Sequence, residues 1–138
     1  MTRREAAPEV RIRRAYDPPE EADGFRVLVD RLWPRGLRRD GAWIGLWLKE
    51  VAPSNALRQW FGHDPTRWAE FRARYRAELR GSLALESLLA EVARHRRVTL
   101  LFGARDVAHN NAVVLQEICA QGGRGHTPAT PTVMPPQT

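Results

Sequence analysis

Cysteine and long apolar runs are almost absent from the sequence. Cys119 is the single cysteine among 138 residues, which excludes an internal disulfide and is typical of a protein from a reducing compartment. No apolar run approaches the roughly 20 residues that a membrane-spanning helix needs. The basic N-terminus also lacks the apolar stretch of a secretory signal. These absences favour a soluble, cytoplasmic protein that has no membrane partner.

The patterns that mark familiar chemistries are missing as well. There is no C-x-x-C, no H-E-x-x-H and no spaced set of His and Cys residues, so we expect no metal site. The P-loop, the G-x-G-x-x-G fingerprint and the G-x-S-x-G elbow are absent too. The sequence therefore leaves the cofactor, the reaction class and the oligomeric state unknown.

Positive charge, carried almost entirely by arginine, is what the sequence has in excess. Its 22 Lys and Arg residues against 16 Asp and Glu residues give a net charge of +6, and Lys49 is the single lysine. Such a surplus can serve an anionic partner such as a nucleic acid, a nucleotide or a phosphate metabolite. It can equally reflect the codon bias of a GC-rich genome. Both interpretations stay open.

Apolar patterning predicts three strands, at residues 10–16, 25–29 and 98–102. The second contains three consecutive branched apolar residues that begin at Val27. A strand of this kind is typically covered on both faces, as in a parallel sheet flanked by helices.

Helical spacing and capping residues predict five helices. The predicted segments are 42–51, 55–61 between Ser54 and Gly62, 65–79 after Asp64, 83–97 after Ser82, and a last helix that Asp106 caps. Together these elements predict a single compact α/β domain over residues 10–120, with a small, mainly parallel sheet flanked by helices. We expect a flexible N-terminus at 1–9 and a disordered tail, rich in Gly, Pro and Thr, at 121–138.

Polar side chains follow two of the predicted strands. Asp30 and Arg31 come after the second strand, and Arg105 and Asp106 come after the last one. Because the carboxyl ends of parallel strands share one edge of a sheet, these side chains are expected to meet in an anion pocket. Alternatively, they pair with one another in a lattice of salt bridges that locks the strand ends together. The two arrangements are compatible.

The roles expected at this edge are anion binding and proton transfer. The ligand-binding candidates are Arg31, Trp33, Arg35, Arg105, Asp106 and Asn110. The catalytic candidates are Asp30, His63 and His109. His63 is otherwise a residue that links two helices, and His109 is otherwise a local partner of the Asp106 carboxylate.

Five blocks of sequence resemble one known family. "YDPP", "DGFRVLVDRLWPRG", "WLKEVAPSNALRQWFGHDP", "FRARYRAEL" and "VTLLFGARDVAHNNAVVL" are similar to the domain of unknown function 488 family, in its YeaO-like branch. The resemblance spans about residues 10 to 120 and implies a small, mostly bacterial, cytoplasmic α/β protein. It implies no catalytic roles, because the family's activity is not established. The chain departs from the family where it reads "FGARD" instead of "YAAKD", which puts Arg105 in place of a lysine.

Three functions remain open on this basis. The first is an enzyme or sensor that binds an anionic metabolite or nucleotide at the strand ends. The second is a nucleic-acid-binding module whose binding weakens with salt, with arginines of the 65–79 helix along the phosphates. The third is an interaction scaffold without catalysis, with spare tryptophans on a partner surface.

Overall fold

The computed structural model describes residues 8–39 and 43–121. The predicted α/β class is confirmed. The strands are β1 (Glu9–Arg14), β2 (Phe25–Leu28), β3 (Leu46–Trp47) and β4 (Arg97–Phe102). The α-helices are α1 (Asn55–Phe61), α2 (Trp68–Leu79), α3 (Leu83–His95) and α4 (Asn111–Ala120), and 3-10 turns occur at Glu21–Asp23, Lys49–Val51 and Pro65–Arg67. Except for their innermost residues, the N-terminal segment predicted to be flexible and the tail predicted to be disordered lie outside the described residues.

The four strands form one parallel sheet in the order β1-β4-β2-β3. β4 is therefore an inner strand, with β1 on one side and β2 on the other. Leu100 of β4 is in register with Ile12 of β1 and with Val27 of β2. This parallel register brings the segments that follow β2 and β4 to the same edge of the sheet.

One face of the sheet carries all four α-helices. Val27, Leu100 and Phe102 point to this face and are buried with residues of every α-helix in one cluster. Helix α2 contributes Phe71, Tyr75 and Leu79, which are buried there, and Trp68 packs at the edge of the cluster. This cluster is the main core.

Loop residues, and not helices, cover the hydrophobic part of the other face. Leu28 and Leu101 are fully buried there and are packed beneath Trp33 and Trp47. We call this side of the sheet the loop face. The prediction that both faces are covered is confirmed, and the cover on this side comes from the chain between β2 and β3 together with Trp47 of β3.

A buried group of charges lies further along the loop face. The Asp23 side chain is 1% exposed, and its carboxylate accepts hydrogen bonds from Arg26 at 2.5 Å and Arg13 at 2.9 Å. Arg26 Nε also donates to the backbone carbonyl of Trp43 at 3.1 Å. The Thr99 hydroxyl donates to the Asp23 carbonyl at 2.8 Å. The 3-10 turn, two strands and the chain before β3 are thus joined through one carboxylate.

The helix predicted at 42–51 is wrong. Within the described part of that segment the chain forms β3 and then the 3-10 turn at Lys49–Val51. The backbone N–H of Gly45 donates to Arg26 and that of Leu48 donates to Leu28. The backbone carbonyls at the open edge of β2 thus accept hydrogen bonds from this segment. These bonds outweigh the helical spacing of Trp43 and Trp47.

The predicted start of the last helix is also wrong. α4 begins at Asn111, and Asn110 is its N-cap, with Oδ1 accepting from the Val113 N–H at 3.2 Å. Asp106 instead accepts from the N–H groups of Ala108 and His109, which closes a turn before the helix. The caps predicted at Ser54, Gly62 and Ser82 are confirmed.

Candidate functional site

A cavity of about 260 Å³ lies at the carboxyl edge of the sheet, on the helix side. We call it the strand-end pocket. Its polar lining consists of Asp30, Arg31, Arg58, His63, His109, Asn110 and Asn111. Its other lining residues are Leu32, Ala52, Pro53, Phe61, Phe71, Gly103 and Ala104. The ends of β2 and β4, helix α1 and the start of α4 all contribute to the wall.

Asp30 is held between the two strand ends. Its Oδ2 atom accepts a hydrogen bond of 2.8 Å from the backbone N–H of Gly103, and the Asn111 side chain also bonds to it. Burial raises the pKa of Asp30, and the bonds from Gly103 and Asn111, with the nearby His63, offset only part of this effect. Asp30 is therefore a carboxyl group that takes up a proton more readily than an exposed aspartate.

Arg31 lies beside Asp30 with donors to spare. One of its terminal nitrogens is 3.3 Å from the carbonyls of both Ala52 and Pro53. Its Nε is buried and has no hydrogen-bond partner among the described residues. A buried N–H of a charged group without an acceptor is unfavourable, so this atom is a donor that the described residues leave unsatisfied.

His63 lies on the exposed rim of the pocket. Its backbone has φ +58°, a left-handed conformation that is uncommon for residues other than glycine. It follows Gly62, the left-handed C-cap of α1, so the chain turns sharply here. This turn brings the imidazole close enough to Asp30 to favour the ionised carboxylate.

The Asp106 carboxylate contacts the His109 ring and orients it. Its Nδ1 is 2.9 Å from Asp106 Oδ2, and its ring packs edge-on against Trp68 with centroids 5.2 Å apart. A hydrogen bond from the Ala108 N–H, and then that from the His109 side chain, lowers the pKa of Asp106. In the tautomer whose Nδ1 donates to the ionised Asp106, the Nε2 of a neutral His109 is an acceptor without a hydrogen-bond partner among the described residues.

Five of the nine predicted site residues line the pocket together. They are Asp30, Arg31, His63, His109 and Asn110. Of the two pairs expected to meet, Arg31 and Asp30 line the cavity, whereas Arg105 and Asp106 do not. No salt bridge joins these pairs within the described chain, because Asp30 bonds to Gly103 and Arg31 to backbone carbonyls.

The other four predicted residues lie outside the pocket. Trp33 packs on the loop face, where its indole N–H donates to the Leu37 carbonyl. Arg35 is exposed, and its carbonyl accepts from the Tyr16 hydroxyl at 2.7 Å. Arg105 is exposed on the loop that leads to α4. Asp106 does not line the pocket, but it contacts the pocket residue His109.

Sequence reasoning missed Arg58 and the aromatic wall formed by Phe61 and Phe71. Arg58 belongs to α1, whose pattern predicts a helix but not the edge of the sheet against which it packs. Phe61 and Phe71 are buried, with ring centroids 4.4 Å apart, and their apolar spacing reads as ordinary core. The pocket thus pairs two guanidinium groups with an apolar wall.

The chemistry available in the pocket is that of cations, imidazoles and one buried carboxyl group. No three His, Cys, Asp or Glu side chains within residues 8–39 and 43–121 are grouped to hold a metal ion. Cys119 is buried in α4 away from the pocket, and burial raises its pKa to about 12.

None of the α-helices within residues 8–39 and 43–121 has the length and apolar character needed to cross a bilayer.

Comparisons with known proteins point to one family. A family model described as the inactive DUF488-N3 subclade matches residues 9–133. The chain is 45% identical over 109 residues to the uncharacterized protein Rv3073c of Mycobacterium tuberculosis, which covers 79% of this chain and 92% of the relative. It is 40% identical over 108 residues to the uncharacterized protein YeaO of Escherichia coli, which covers 78% of this chain and 94% of the relative. No solved structure matches the chain significantly.

Proposed function

The chain belongs to the DUF488 family, in its inactive N3 subclade, and from that premise we propose that it binds a small anionic metabolite in the strand-end pocket without transforming it. The buried, unpartnered Nε of Arg31 is the observation that carries this proposal. An oxyanion of a bound ligand would supply the missing acceptor. The description of the subclade as inactive favours binding over catalysis by Asp30, His63 or His109.

The charges around the pocket support an anion as the ligand. Arg31 and Arg58 each bring a guanidinium group, the side-chain type best suited to phosphate and carboxylate oxygens. Asp30 is the single acidic residue in the lining, and its carboxylate already accepts from Gly103. An incoming anion therefore meets guanidinium donors without a carboxylate partner. The one negative charge in the lining, on Asp30, already accepts a hydrogen bond from Gly103.

The size and the wall of the cavity narrow the class of ligand. A volume of about 260 Å³ lies below the range of roughly 300–1,000 Å³ that is typical of sites for drug-sized molecules. Phe61, Phe71 and Pro53 add apolar surface to the lining. These features favour a compact ligand with an anionic head and a flat or apolar body, such as a phosphate ester no larger than a mononucleotide.

Calorimetric titration with inorganic phosphate, glycerol phosphate, UMP and AMP tests this function. We expect at least one of these ligands to bind wild-type protein, and Arg31→Ala to weaken it about tenfold or more, because a charge-assisted hydrogen bond contributes about 1.5–3 kcal/mol. Arg31→Lys keeps the charge but loses Nε, so its affinity should fall between the two. Arg58→Ala should weaken binding as well.

Arg80→Ala is the matched control, since Arg80 is an exposed arginine at the end of α2 and does not line the pocket. Its affinity should stay at the wild-type value. Equal binding by wild type, Arg31→Ala and Arg80→Ala, with all three folded, would contradict the proposal. Chromatography of the ligand after long incubation should return it unchanged, and any turnover would favour the catalytic alternative.

A further inference from the structure

The loop face carries cations that stack on aromatic rings. The Arg39 guanidinium lies 4.6 Å from the ring centroid of Trp33 and 5.3 Å from that of Trp47. The Lys49 ammonium lies 5.0 Å from the Trp47 ring, and the two indoles meet edge to face at 5.4 Å. Aromatic and cationic groups thus alternate across the chain between β2 and α1.

The same alternation continues at the carboxyl end of β1. The Arg14 guanidinium lies 4.9 Å from the centroid of the Tyr16 ring, and Arg14 also donates to the carbonyls of Gly103 and Ala104. The Tyr16 hydroxyl donates to the backbone carbonyl of Arg35, which is an exposed residue. Tyr16 is 40% exposed, so part of its ring remains open to solvent.

The cations of this face differ from those of α2 in how they are neutralised. Three α2 arginines form ion pairs: Arg72 and Arg76 with Glu117, and Arg74 with Glu70. Arg14, Arg35, Arg39 and Lys49 make no ion pair with a carboxylate of the described residues. These four cations therefore remain available to an outside anion, unlike the three paired arginines of the helix that the sequence suggested.

The backbone of Trp43 lies beside the loop face, just before β3. The residue is 70% exposed and has φ +57°, a backbone conformation that is strained for a residue with a large side chain. Arg26 Nε holds its carbonyl at 3.1 Å, and Arg26 itself is anchored on the buried Asp23. The backbone of Trp43 is thus bonded to a buried ion pair, while its indole is exposed to solvent. No ring or cation among the described residues stacks on it.

We propose that the loop face binds single-stranded nucleic acid. Unpaired cations suit the phosphates, and the open rings of Trp43 and Tyr16 suit unstacked bases, which is how proteins bind single strands without reading sequence. A duplex buries its bases in the stack and offers these rings no partner. The net charge of +6 supports association with a polyanion. This function is separate from the strand-end pocket, because neither ring lines that cavity.

Fluorescence anisotropy tests this surface with labelled oligonucleotides of about 12 residues. The probes are oligo-dT, oligo-U and a duplex of mixed sequence, each at about 50 mM and about 200 mM salt. We expect wild-type protein to bind at least one single strand more tightly than the duplex, with affinity that falls as salt rises. A preference for oligo-dT or for oligo-U shows whether the loop face binds single-stranded DNA or RNA better, and either preference supports the proposal.

Variants locate the binding surface. Arg39→Gln with Lys49→Gln removes two unpaired cations and should weaken binding about tenfold or more while reducing the slope of log K against log salt by about 1.4. Trp43→Ala should weaken binding by about fivefold or more with an unchanged slope, because it removes stacking and no charge. Arg72→Gln with Arg74→Gln is the control, since it makes the same change in charge among paired residues of α2 and should leave the affinity within about twofold.

Three results would overturn the assignment. They are failure to bind either single strand at low salt, equal affinity for the duplex, and equal weakening by the α2 control. If the Arg39 and Lys49 variant fails to fold, Trp43→Ala decides alone, because its side chain is exposed. Failure here leaves ligand binding in the pocket intact, since Arg31→Ala tests that function with separate probes.

Discussion

The backbone N–H of Gly103 donates a hydrogen bond of 2.8 Å to Asp30 Oδ2, which joins the chain after β4 to the chain after β2. A Cβ atom at position 103 would lie 3.3 Å from that oxygen, so glycine permits the close approach. Both residues line the strand-end pocket, so the titratable carboxyl group of Asp30 is part of its wall. It also makes this edge of the sheet sensitive to pH.

Asp30→Asn should stabilise the protein at neutral pH. The pKa of Asp30 in the folded protein is raised above 3.8, so the folded state holds this proton more tightly than the unfolded state does. Ionisation therefore reduces stability as pH rises from below 3.8 through the folded pKa. Asparagine keeps the acceptor for Gly103 without the charge. Urea unfolding should show a higher free energy of unfolding for the variant near pH 7, and the difference should disappear below about pH 4.

Asp64→Asn is the control for that experiment and should act with the opposite sign. Hydrogen bonds from the Thr66 hydroxyl and backbone lower the pKa of Asp64, so its ionised form stabilises the fold above about pH 4. The variant should be less stable than wild type at neutral pH. A loss of stability for Asp30→Asn near pH 7 would mean that the carboxylate charge is needed in the folded protein.

Asp23→Ala should be the most damaging single substitution on the loop face. The Asp23 side chain is 1% exposed, and its removal leaves Arg26 and Arg13 buried or half-buried without their carboxylate. We expect a loss of about 3–5 kcal/mol in the free energy of unfolding. Glu20→Ala, at a 54% exposed side chain that also pairs with Arg13, should lose less than about 1 kcal/mol. Comparable losses in the two variants would contradict a buried role for Asp23.

The contribution of Asp23 should also depend on pH. Burial acts to raise its pKa, but hydrogen bonds from the Glu20 N–H, Arg26 and Arg13 outweigh it, and the pKa lies below 3.8. The stability that Asp23 provides is present above about pH 4 and is lost as pH falls through the folded pKa. Wild type and Asp23→Ala should therefore approach each other in stability under strongly acidic conditions, as measured by urea unfolding.

Cys119 should be unreactive in the folded protein. Burial raises the pKa of its thiol to about 12, so very little thiolate is present near pH 8. Iodoacetamide should label the native protein slowly and the urea-unfolded protein fully, which mass spectrometry can follow. Rapid stoichiometric labelling of the native protein would mean that α4 opens far more readily than its packing indicates.

Asp106→Asn should reverse the tautomer of His109. The Asp106 carboxylate accepts from His109 Nδ1 at 2.9 Å, which places the proton of a neutral ring on Nδ1. An asparagine amide can keep the bonds to the backbone N–H groups and donate to Nδ1, so the proton moves to Nε2. Nitrogen chemical shifts of the ring should show the exchange. An unchanged tautomer would mean that Asp106 does not orient this ring.

The parts of the fold predicted correctly are those that local chemistry determines. Ser54 and Gly62 bracket α1 because a hydroxyl cap and a left-handed glycine satisfy helix ends wherever the helix packs. The convergence of Arg31 and His109 follows from the parallel sheet alone, since both segments leave strands at the same edge. These features need no knowledge of distant contacts.

The parts that were missed depend on distant partners. β3 is two residues long, and hydrogen bonds to β2 determine it more than its own spacing does. Trp33 looks like a pocket wall beside Pro34, yet Leu28 and Leu101 offer its ring a larger apolar surface on the loop face. Arg58 reaches the pocket only because of where α1 packs. No local pattern in the sequence carries that information.

The position of β4 has a consequence for biosynthesis. β1 and β2 pair with β4 and not with each other, and β4 begins at Arg97, more than 60 residues after β2 ends. On the ribosome, β1 must wait unpaired, and β2 has only the two-residue β3 as a partner, until this segment emerges from the exit tunnel. The nascent chain thus depends on its last strand to complete the sheet, and a ribosome stalled before Arg97 would hold a product whose strand edges are open to chaperones or to aggregation.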